Sequence, residues 1–287
     1  MALVQYSDSE SDSEQEAPPR KISKQNKDGS GRKTASSLPP LPASFHDLYA
    51  SSTRVSVRDD PSLHGGRKRA IPHVEGNWPT HIYIEWYPVK EEWKILGSII
   101  DQAGSSLRGE QEKLHSFLYS DLGAQLPLHI SLSRPVVLRT EERQSFMEAF
   151  ETALGSSAIS PFDIQVESLD WVSNFEKTRW FYVLRAKRPD KDSLNHLLHI
   201  SNRSLGLFGQ PPLYESVSDS AKQDPKSAPV GNYTGCFHIS IAWSLEEPSA
   251  EEKERMERID LGELSALKIR FDCVKAKIGN NVSSIPL

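Results

Sequence analysis

The stretches Leu128-His129-Ile130-Ser131-Leu132 and Phe237-His238-Ile239-Ser240-Ile241 share one pattern, apolar-His-apolar-Ser-apolar. Successive side chains of an extended strand point to opposite faces. The histidine and the serine of each stretch therefore lie on one face, and the apolar residues lie on the other. Two such strands side by side would bring two imidazoles and two hydroxyls to one cleft.

This set of side chains suits in-line displacement at a phosphodiester. One histidine can take a proton from a nucleophile while the other gives a proton to the leaving oxygen, and serine hydroxyls can bind the non-bridging oxygens. Because an unperturbed histidine titrates near neutrality, this chemistry needs no metal or cofactor. We predict that His129 and His238 are catalytic and that Ser131 and Ser240 bind substrate. The alternative is two core strands, each with a buried, hydrogen-bonded histidine.

Two other sets of histidines do not extend this site. Leu198-His199-Ile200-Ser201 also reads His-x-Ser, but its surroundings have helical spacing, and residues i and i+2 of a helix point in different directions. His64, His73 and His81 match no usual zinc spacing, and no cysteine or carboxylate stands in register with them. The sequence therefore predicts no metal site.

Composition limits the class of protein. The chain has 287 residues, of which 37% are hydrophobic, and only two cysteines, which cannot form a disulfide framework and fit a reducing compartment. No apolar run approaches the roughly 18 residues that cross a bilayer, so we expect a soluble, intracellular protein without membrane contact.

Charge is spread unevenly along the chain. The net charge is −5, and five acidic residues but no basic ones lie in residues 1–16, which leaves 34 acidic and 34 basic residues in the remainder. A neutral body argues against clamping a long duplex, which needs a basic face. If the substrate is a nucleic acid, this balance favours a short single-stranded end.

Residues 1–60 are predicted to be a disordered, low-complexity tail. An alternating acidic-serine run, Ser7–Glu14, precedes a basic segment that is either an import or RNA-tethering signal or simply a solvated tail. Residues 61–287 are predicted to form one bilobed domain. Within it, residues 208–234 are rich in Pro, Ser and Gly, which indicates a surface insertion or a mobile lid.

The order of predicted elements in the domain is repeated. Strand, helix, histidine-bearing strand, helix and strand occur once up to about residue 171 and again from about residue 179. Among the helices, Thr140 is predicted to cap one, Ser249 with Glu252 to form a capping box for another, and Leu114 with Leu118 to lie on a third. The fold class is α+β, with two pseudo-symmetric lobes, each an antiparallel sheet flanked by helices, around a shared central cleft.

These motifs resemble those of the two-histidine (2H) phosphoesterase superfamily, which carries paired His-x-Ser/Thr motifs on two lobes. Further stretches resemble one branch, the U6 small nuclear RNA 3′-end phosphodiesterases, over about residues 60–287. They are His64-Gly65-Gly66-Arg67, Pro72-His73, Gly76-Asn77-Trp78, Thr80-His81, Glu176-Lys177-Thr178-Arg179, Ala242-Trp243, Lys277-Ile278-Gly279-Asn280 and Ile285-Pro286-Leu287. The sequence departs from that branch in its longer 208–234 segment.

The resemblance implies a metal-independent 3′-5′ exoribonuclease that trims the 3′ oligouridine tail of U6 small nuclear RNA in support of pre-mRNA splicing. The product would end in a 2′,3′-cyclic phosphate or a 3′-phosphate. Tyr233 only approximately matches the aromatic residue that stacks on the terminal base, and a plain loop tyrosine is the alternative. Lys177 and Arg179 are either RNA phosphate contacts or solvated loop charges. A nuclear monomer that binds a single-stranded RNA 3′ end is expected.

Two other functions stay open from the sequence. The first is a different 2H reaction, either opening of 2′,3′-cyclic phosphates on other RNA ends or joining of 2′-5′ RNA. The second is a non-catalytic RNA-binding, splicing-associated protein in which both histidine strands are only core. Substitution of His129 separates the second from the enzymes, because it would leave a binding protein unchanged.

Overall fold

The computed structural model describes residues 74–107, 114–120, 122–174, 176–215 and 231–287, all of which belong to one compact unit, Ser56–Leu287. The predicted tail at 1–60 lies outside the described residues, as does the middle of the 208–234 segment. Within the described part of the chain, no helix has the length and apolarity that a membrane span requires.

The described residues form eleven strands and four α-helices. The strands are β1 Asn77–Trp86, β2 His115–Ser116, β3 Leu128–Ser131, β4 Val136–Arg139, β5 Phe162–Ile164, β6 Val166–Ser173, β7 Trp180–Ala186, β8 His238–Ser244, β9 Ile269–Phe271, β10 Cys273–Ile278 and β11 Asn281–Pro286. The helices are α1 Lys90–Ser106, α2 Glu142–Gly155, α3 Ser193–Gly206 and α4 Ala250–Glu257. Mixed helix and antiparallel sheet confirm the predicted α+β class.

Nine of these strands form one antiparallel sheet. Its order is β11-β10-β1-β3-β8-β7-β6, with β4 paired to the first half of β1 and β2 paired to the end of β8. The two lobes were expected to hold separate sheets that face each other, but in the structure they join edge to edge where β3 meets β8. This junction pairs backbone groups that two separate sheets would leave exposed at their edges.

The two faces of the sheet differ as the alternation in sequence predicts. Ile82, Ile84, Ile130, Ile239 and Leu184 point to one face and are at most 1% exposed. They belong to a core that also contains side chains of all four helices, among them Leu96, Phe146, Leu197 and Met256. Burial of each large apolar side chain contributes about 1.5–3 kcal/mol to folding. The opposite face carries the polar residues of the same strands, which leaves them available for a site.

The predictions for helix ends had different outcomes. The capping box at α4 is confirmed, since the Glu252 backbone N–H donates to Ser249 Oγ at 3.3 Å and the Ser249 N–H donates to Glu252 Oε2 at 2.8 Å. The cap at Thr140 was wrong. Its hydroxyl accepts from Trp78 Nε1 at 2.9 Å and donates to the Gly76 carbonyl oxygen at 3.1 Å, because β1 runs beside it.

The predicted helix through Leu114 and Leu118 was also wrong. The described residues there include the short strand β2, which pairs with the end of β8. Leu118 is almost fully buried in the core, so its apolar character reflects packing and not helical periodicity. The helix that carries His199 is confirmed, which removes the third His-x-Ser stretch from the strands.

Gly279 makes the tight turn between β10 and β11 possible. Its φ of +60° lies in the left-handed region that favours glycine. A Cβ at this position would stand 2.5 Å from Trp78 Cε3, well inside van der Waals contact. Glycine at this position is therefore required both by the turn and by the indole ring that packs on it.

We predict that Gly279→Ala lowers the free energy of unfolding by about 2–4 kcal/mol, because left-handed strain of about 1–2 kcal/mol adds to a steric clash with the indole. Gly209→Ala is the matched control, since Gly209 has φ +67° but open space around its Cβ position. It should cost only the strain. Urea unfolding of both variants measures the difference, and equal losses would show that the indole contact does not constrain Gly279.

Candidate active site

The pairing of β3 with β8 determines the arrangement of the four predicted site residues. Ile130 lies opposite Ile239 in this antiparallel pair. The residues on either side therefore face one another on the other face, with His129 across from Ser240 and Ser131 across from His238. Side chains that lie directly opposite have Cβ atoms about 4.5–5.5 Å apart. The structure thus brings all four residues together, with the histidines on one diagonal and the serines on the other.

His129 stands in an environment that disfavours its charged form. Removal of the ring from bulk water lowers its pKa to about 4, and the positive charge of His238 adds to this effect. The residue is nonetheless exposed at the surface, as access by a substrate requires. The influence of His238 is consistent with two imidazoles that share one site.

His238 is held by a carbonyl oxygen of the preceding turn. Its Nδ1 lies 2.7 Å from the Cys236 carbonyl oxygen, which can only accept, so Nδ1 carries the proton and Nε2 is the nitrogen available for proton transfer. Burial lowers the pKa of His238, the bond to Cys236 opposes that shift, and the charge of Arg185 lowers it further while Asp170 raises it.

Tyr214 stabilises the same carbonyl group. Its hydroxyl donates to the Cys236 oxygen at 3.1 Å, and burial raises the pKa of this hydroxyl, which therefore keeps its proton. Two donors on one oxygen fix the turn before β8 and, through it, the orientation of His238. Tyr214 has φ +66°, which is unusual for a residue with a side chain.

Arg185 lies beside His238, opposite it in the β7–β8 pair. Its Nε donates to Asp170 Oδ2 at 2.7 Å, a second nitrogen pairs with the same carboxylate, and Nη1 donates to the Gly235 carbonyl oxygen at 2.9 Å. These bonds link β6, β7 and the turn before β8. This ion pair depends on the register between strands, so it could not be predicted from the sequence.

His81 on β1 is a third histidine of the same face. Its Nε2 lies 3.1 Å from Ser131 Oγ, and its ring centroid lies 5.5 Å from that of His129 and 5.1 Å from that of Tyr83. Burial, the charge of His129 and the charge of Lys277 lower its pKa to about 3, so it is neutral at pH 7.

A neutral His81 can position the Ser131 hydroxyl. If Nε2–H donates to Oγ, the hydroxyl proton of Ser131 is free to donate to a substrate oxygen. From the sequence, His81 was rejected as a metal ligand and noted only in the Thr80-His81 stretch of the resemblance, although its alternation with buried residues on β1 was a signal for its place here. Among the described residues, no group of three or more His, Cys, Asp or Glu is arranged to hold a metal ion.

Tyr233 lies just before the short 3₁₀ turn Thr234–Cys236 that leads into β8. Its backbone N–H donates to Asn195 Oδ1 at 2.8 Å, and its ring stacks with that of Tyr214 at 6.4 Å between centroids. The residue therefore lies close to the turn that holds the His238 imidazole, and it is partly buried against the hydrophobic core.

Lys177 and Arg179 lie in the loop between β6 and β7, beside the end of β8 that is farther from His238. Asn174 Oδ1 accepts from the backbone N–H of Thr178 at 2.8 Å and of Arg179 at 3.1 Å, which closes the loop between β6 and β7. The Arg179 guanidinium stands 5.2 Å from the centre of the Trp243 ring. The loop adjoins Ser244, six residues from His238, so the structure does not bring these cations to the histidine pair.

Several known proteins have sequences similar to that of this chain. A family model named HVSL, described as an uncharacterised conserved protein, matches residues 39–286. U6 snRNA phosphodiesterase 1 of Neurospora crassa is 34% identical over 290 residues, which cover 89% of this chain and 76% of the relative. U6 snRNA phosphodiesterase 1 of Homo sapiens is 28% identical over 298 residues, 99% of this chain and 98% of the relative.

Solved structures show the same fold. Kluyveromyces marxianus Usb1 superposes with a TM-score of 0.53 at 18% identity, covering 74% of this chain and 98% of that protein. Its structure with uridine monophosphate gives a TM-score of 0.52 at 17% identity.

The lowered pKa values of His81 and His129 predict how stability depends on pH. The folded-state pKa values of His81, about 3, and His129, about 4, lie below the ordinary value of 6.5. The unfolded chain therefore binds more protons in this window, so stability is complete above about pH 6.5 and is lost as pH falls toward 4. We expect His81→Gln to reduce this loss by up to about 1.4 kcal/mol per pH unit in urea unfolding between pH 7 and 4.5.

The matched control is His196→Gln, which removes an exposed histidine of α3. It should keep the pH dependence of the unsubstituted protein. If His81→Gln also keeps it, His81 is not held in its neutral form by the fold.

Proposed function

Because the chain belongs to the HVSL family and has the U6 snRNA phosphodiesterase 1 proteins among its relatives, we propose that it is a metal-independent 3′-5′ exoribonuclease. Its substrate is the 3′ oligouridine tail of U6 small nuclear RNA, which it trims in the nucleus, as a monomer, in support of pre-mRNA splicing. The observation that carries this proposal is the diagonal arrangement of two histidines and two serines on neighbouring strands.

The proposed reaction is a transesterification at the last phosphodiester. The 2′-hydroxyl of the penultimate ribose attacks phosphorus, the bond from phosphorus to the 5′-oxygen of the terminal nucleoside breaks, and that nucleoside leaves. One imidazole takes the proton of the 2′-hydroxyl and the other gives a proton to the 5′-oxygen. The RNA keeps a 2′,3′-cyclic phosphate, which water can open to a 3′-phosphate in a second step. DNA lacks the nucleophile and is inert.

The geometry of the four residues supports this mechanism. A phosphate placed at the centre of the diagonal set has an imidazole on each side, which is the arrangement that in-line attack and departure need. Ser131 and Ser240 lie on the other diagonal and donate to the two non-bridging oxygens. Either imidazole can serve as base or acid in this frame.

Tyr233 is proposed to stack on the base of the terminal nucleotide. Its support is its place beside the turn that holds His238 and the fixed position of its backbone on Asn195. Stacking on an aromatic ring is worth about 1–3 kcal/mol per base and tolerates different bases.

The lowered pKa values of His129 and His238 affect the protonation state that the reaction needs. His129 and His238 are both mainly neutral in the free protein at pH 7, whereas the reaction needs one proton on one of them. The negative charge of a bound phosphodiester favours an imidazolium ion beside it. Substrate binding therefore supplies part of the protonation that the general acid requires.

The test is incubation of the purified protein, in excess EDTA, with a short RNA that ends in uridines and a 3′-hydroxyl, and with its DNA counterpart. We expect stepwise loss of uridines from the RNA and none from the DNA. Mass spectrometry of the products measures the shortening. His129→Ala and His238→Ala should each lower the rate by about 10²–10⁴-fold, since each removes a proton-transfer group.

His199→Ala is the matched control, because it changes the His-x-Ser stretch on α3 and should keep the full rate. Opening of a cyclic phosphate end without any shortening of the uridine tail would favour a different 2H reaction. Binding of the RNA with no reaction on any end would favour a non-catalytic protein.

A further inference from the structure

Lys277 lies on the same face of the sheet as the histidines. It stands directly across from His81 in the β1–β10 pair, and its side chain is exposed. Within the described ranges of the chain, its ammonium group has no carboxylate partner and no hydrogen-bond acceptor. Among the described residues, nothing therefore balances this cation beside the site.

The neighbouring lysine, Lys275, differs from Lys277 in its contacts within the protein. Lys275 lies two residues away on the same face, with its Nζ 3.8 Å from Glu85 Oε2 and 2.7 Å from Ser284 Oγ, to which it donates. Its charge is thus balanced within the protein. Lys277 lies on the same face of β10 but has no such partners among the described residues, which leaves it available for a ligand.

A short path connects Lys277 with the proposed phosphate site. Its charge acts on the ring of His81, whose Nε2 lies 3.1 Å from Ser131 Oγ. One side chain therefore separates the ammonium group from a serine that is proposed to bind the scissile phosphate. β10 lies two strands from β3, so the backbone of Lys277 stands about 10 Å or more from that of Ser131, which leaves room for a second phosphate between them.

Charge on the active face is uneven across the site. On the β7 side of His238, Arg185 is neutralised by Asp170. On the β1 side of His129, Glu85 pairs with Lys275, whereas Lys277 has no carboxylate partner among the described residues. An RNA that is trimmed from its 3′ end has an equally uneven charge, since the leaving nucleoside ends in a hydroxyl whereas every upstream nucleotide adds a phosphate.

We propose that Lys277 forms a binding subsite for the phosphodiester one step upstream of the scissile phosphate. The RNA then crosses the sheet from Lys277 on β10, over His81 on β1, to the histidine pair at β3 and β8, with its terminal base toward Tyr233. A lysine at this place fits a point contact to phosphate that carries no base preference. This inference rests on the proposed function and specifies how the same site holds its substrate.

The subsite predicts a dependence on one phosphate group. UpU has only the scissile phosphodiester, whereas pUpU carries a further phosphate at the upstream position and is otherwise identical. We expect the unsubstituted protein to cleave pUpU with a kcat/KM about three- to tenfold above that for UpU, and Lys277→Gln to bring the ratio of the two kcat/KM values to about one. Lys277→Arg should keep part of the advantage because it keeps the charge.

Lys268→Gln is the matched control, since it removes an exposed lysine next to β9, outside the sheet that holds the site. It should keep the full preference for pUpU. The salt dependence of longer RNA binding should also become shallower by about 0.7 in log–log slope for Lys277→Gln alone. Equal losses on UpU and pUpU would overturn the subsite, because Lys277 would then act at the scissile phosphate or through His81.

A binding measurement separates this inference from the proposed reaction. Both dinucleotides are prepared with a 2′-O-methyl group on the first ribose, which blocks the nucleophile, and their affinities are measured by calorimetry. Tighter binding of the 5′-phosphorylated form that disappears in Lys277→Gln supports the subsite even if no RNA is cleaved. Normal trimming of RNA by Lys277→Gln, with no change in either affinity, overturns the subsite and leaves the enzyme proposal intact.

Discussion

The antiparallel contact between β3 and β8 is the constraint on which the rest of the site depends. A single pair of residues, Ile130 and Ile239, defines the register between two strands that lie more than a hundred residues apart in sequence. A slip by one residue would turn one histidine and its serine to the core. The isoleucines are almost fully buried, so the hydrophobic core beneath the sheet fixes the polar arrangement above it.

Around this junction, separate segments restrict the movement of each imidazole. The Cys236 carbonyl oxygen, in the turn before β8, accepts from His238 Nδ1. The Tyr214 hydroxyl donates to the same oxygen. On the other side, β1 places His81 against Ser131. Desolvation by these contacts lowers the pKa values of the imidazoles, and the negative charge of a bound substrate raises them again. Proton affinity and substrate binding are therefore coupled in this site.

Local alternation of residues was enough to predict the α+β class, the strands β1, β3, β7 and β8, and the face on which the histidines and serines lie, but not β2, β4, β10 or β11. It could not provide the pairing of β3 with β8 inside one sheet, since register is a long-range property. The ion pair of Arg185 with Asp170 was missed for the same reason. Tyr214 was missed because its segment has no periodicity, and Thr140 was assigned to a helix because its partner, Trp78, is distant in sequence.

The central claim is that His129 and His238 share one site, and a histidine NMR titration tests it most directly. With ring-labelled protein, the pKa of His129 is measured in the unsubstituted protein and in His238→Gln. Because the charge of His238 contributes to the lowered pKa of His129, the account predicts that His129 titrates at a higher pH in the variant, with the rest of its lowering, due to burial, retained. A pKa of His129 that does not respond to the loss of His238 would contradict a shared site.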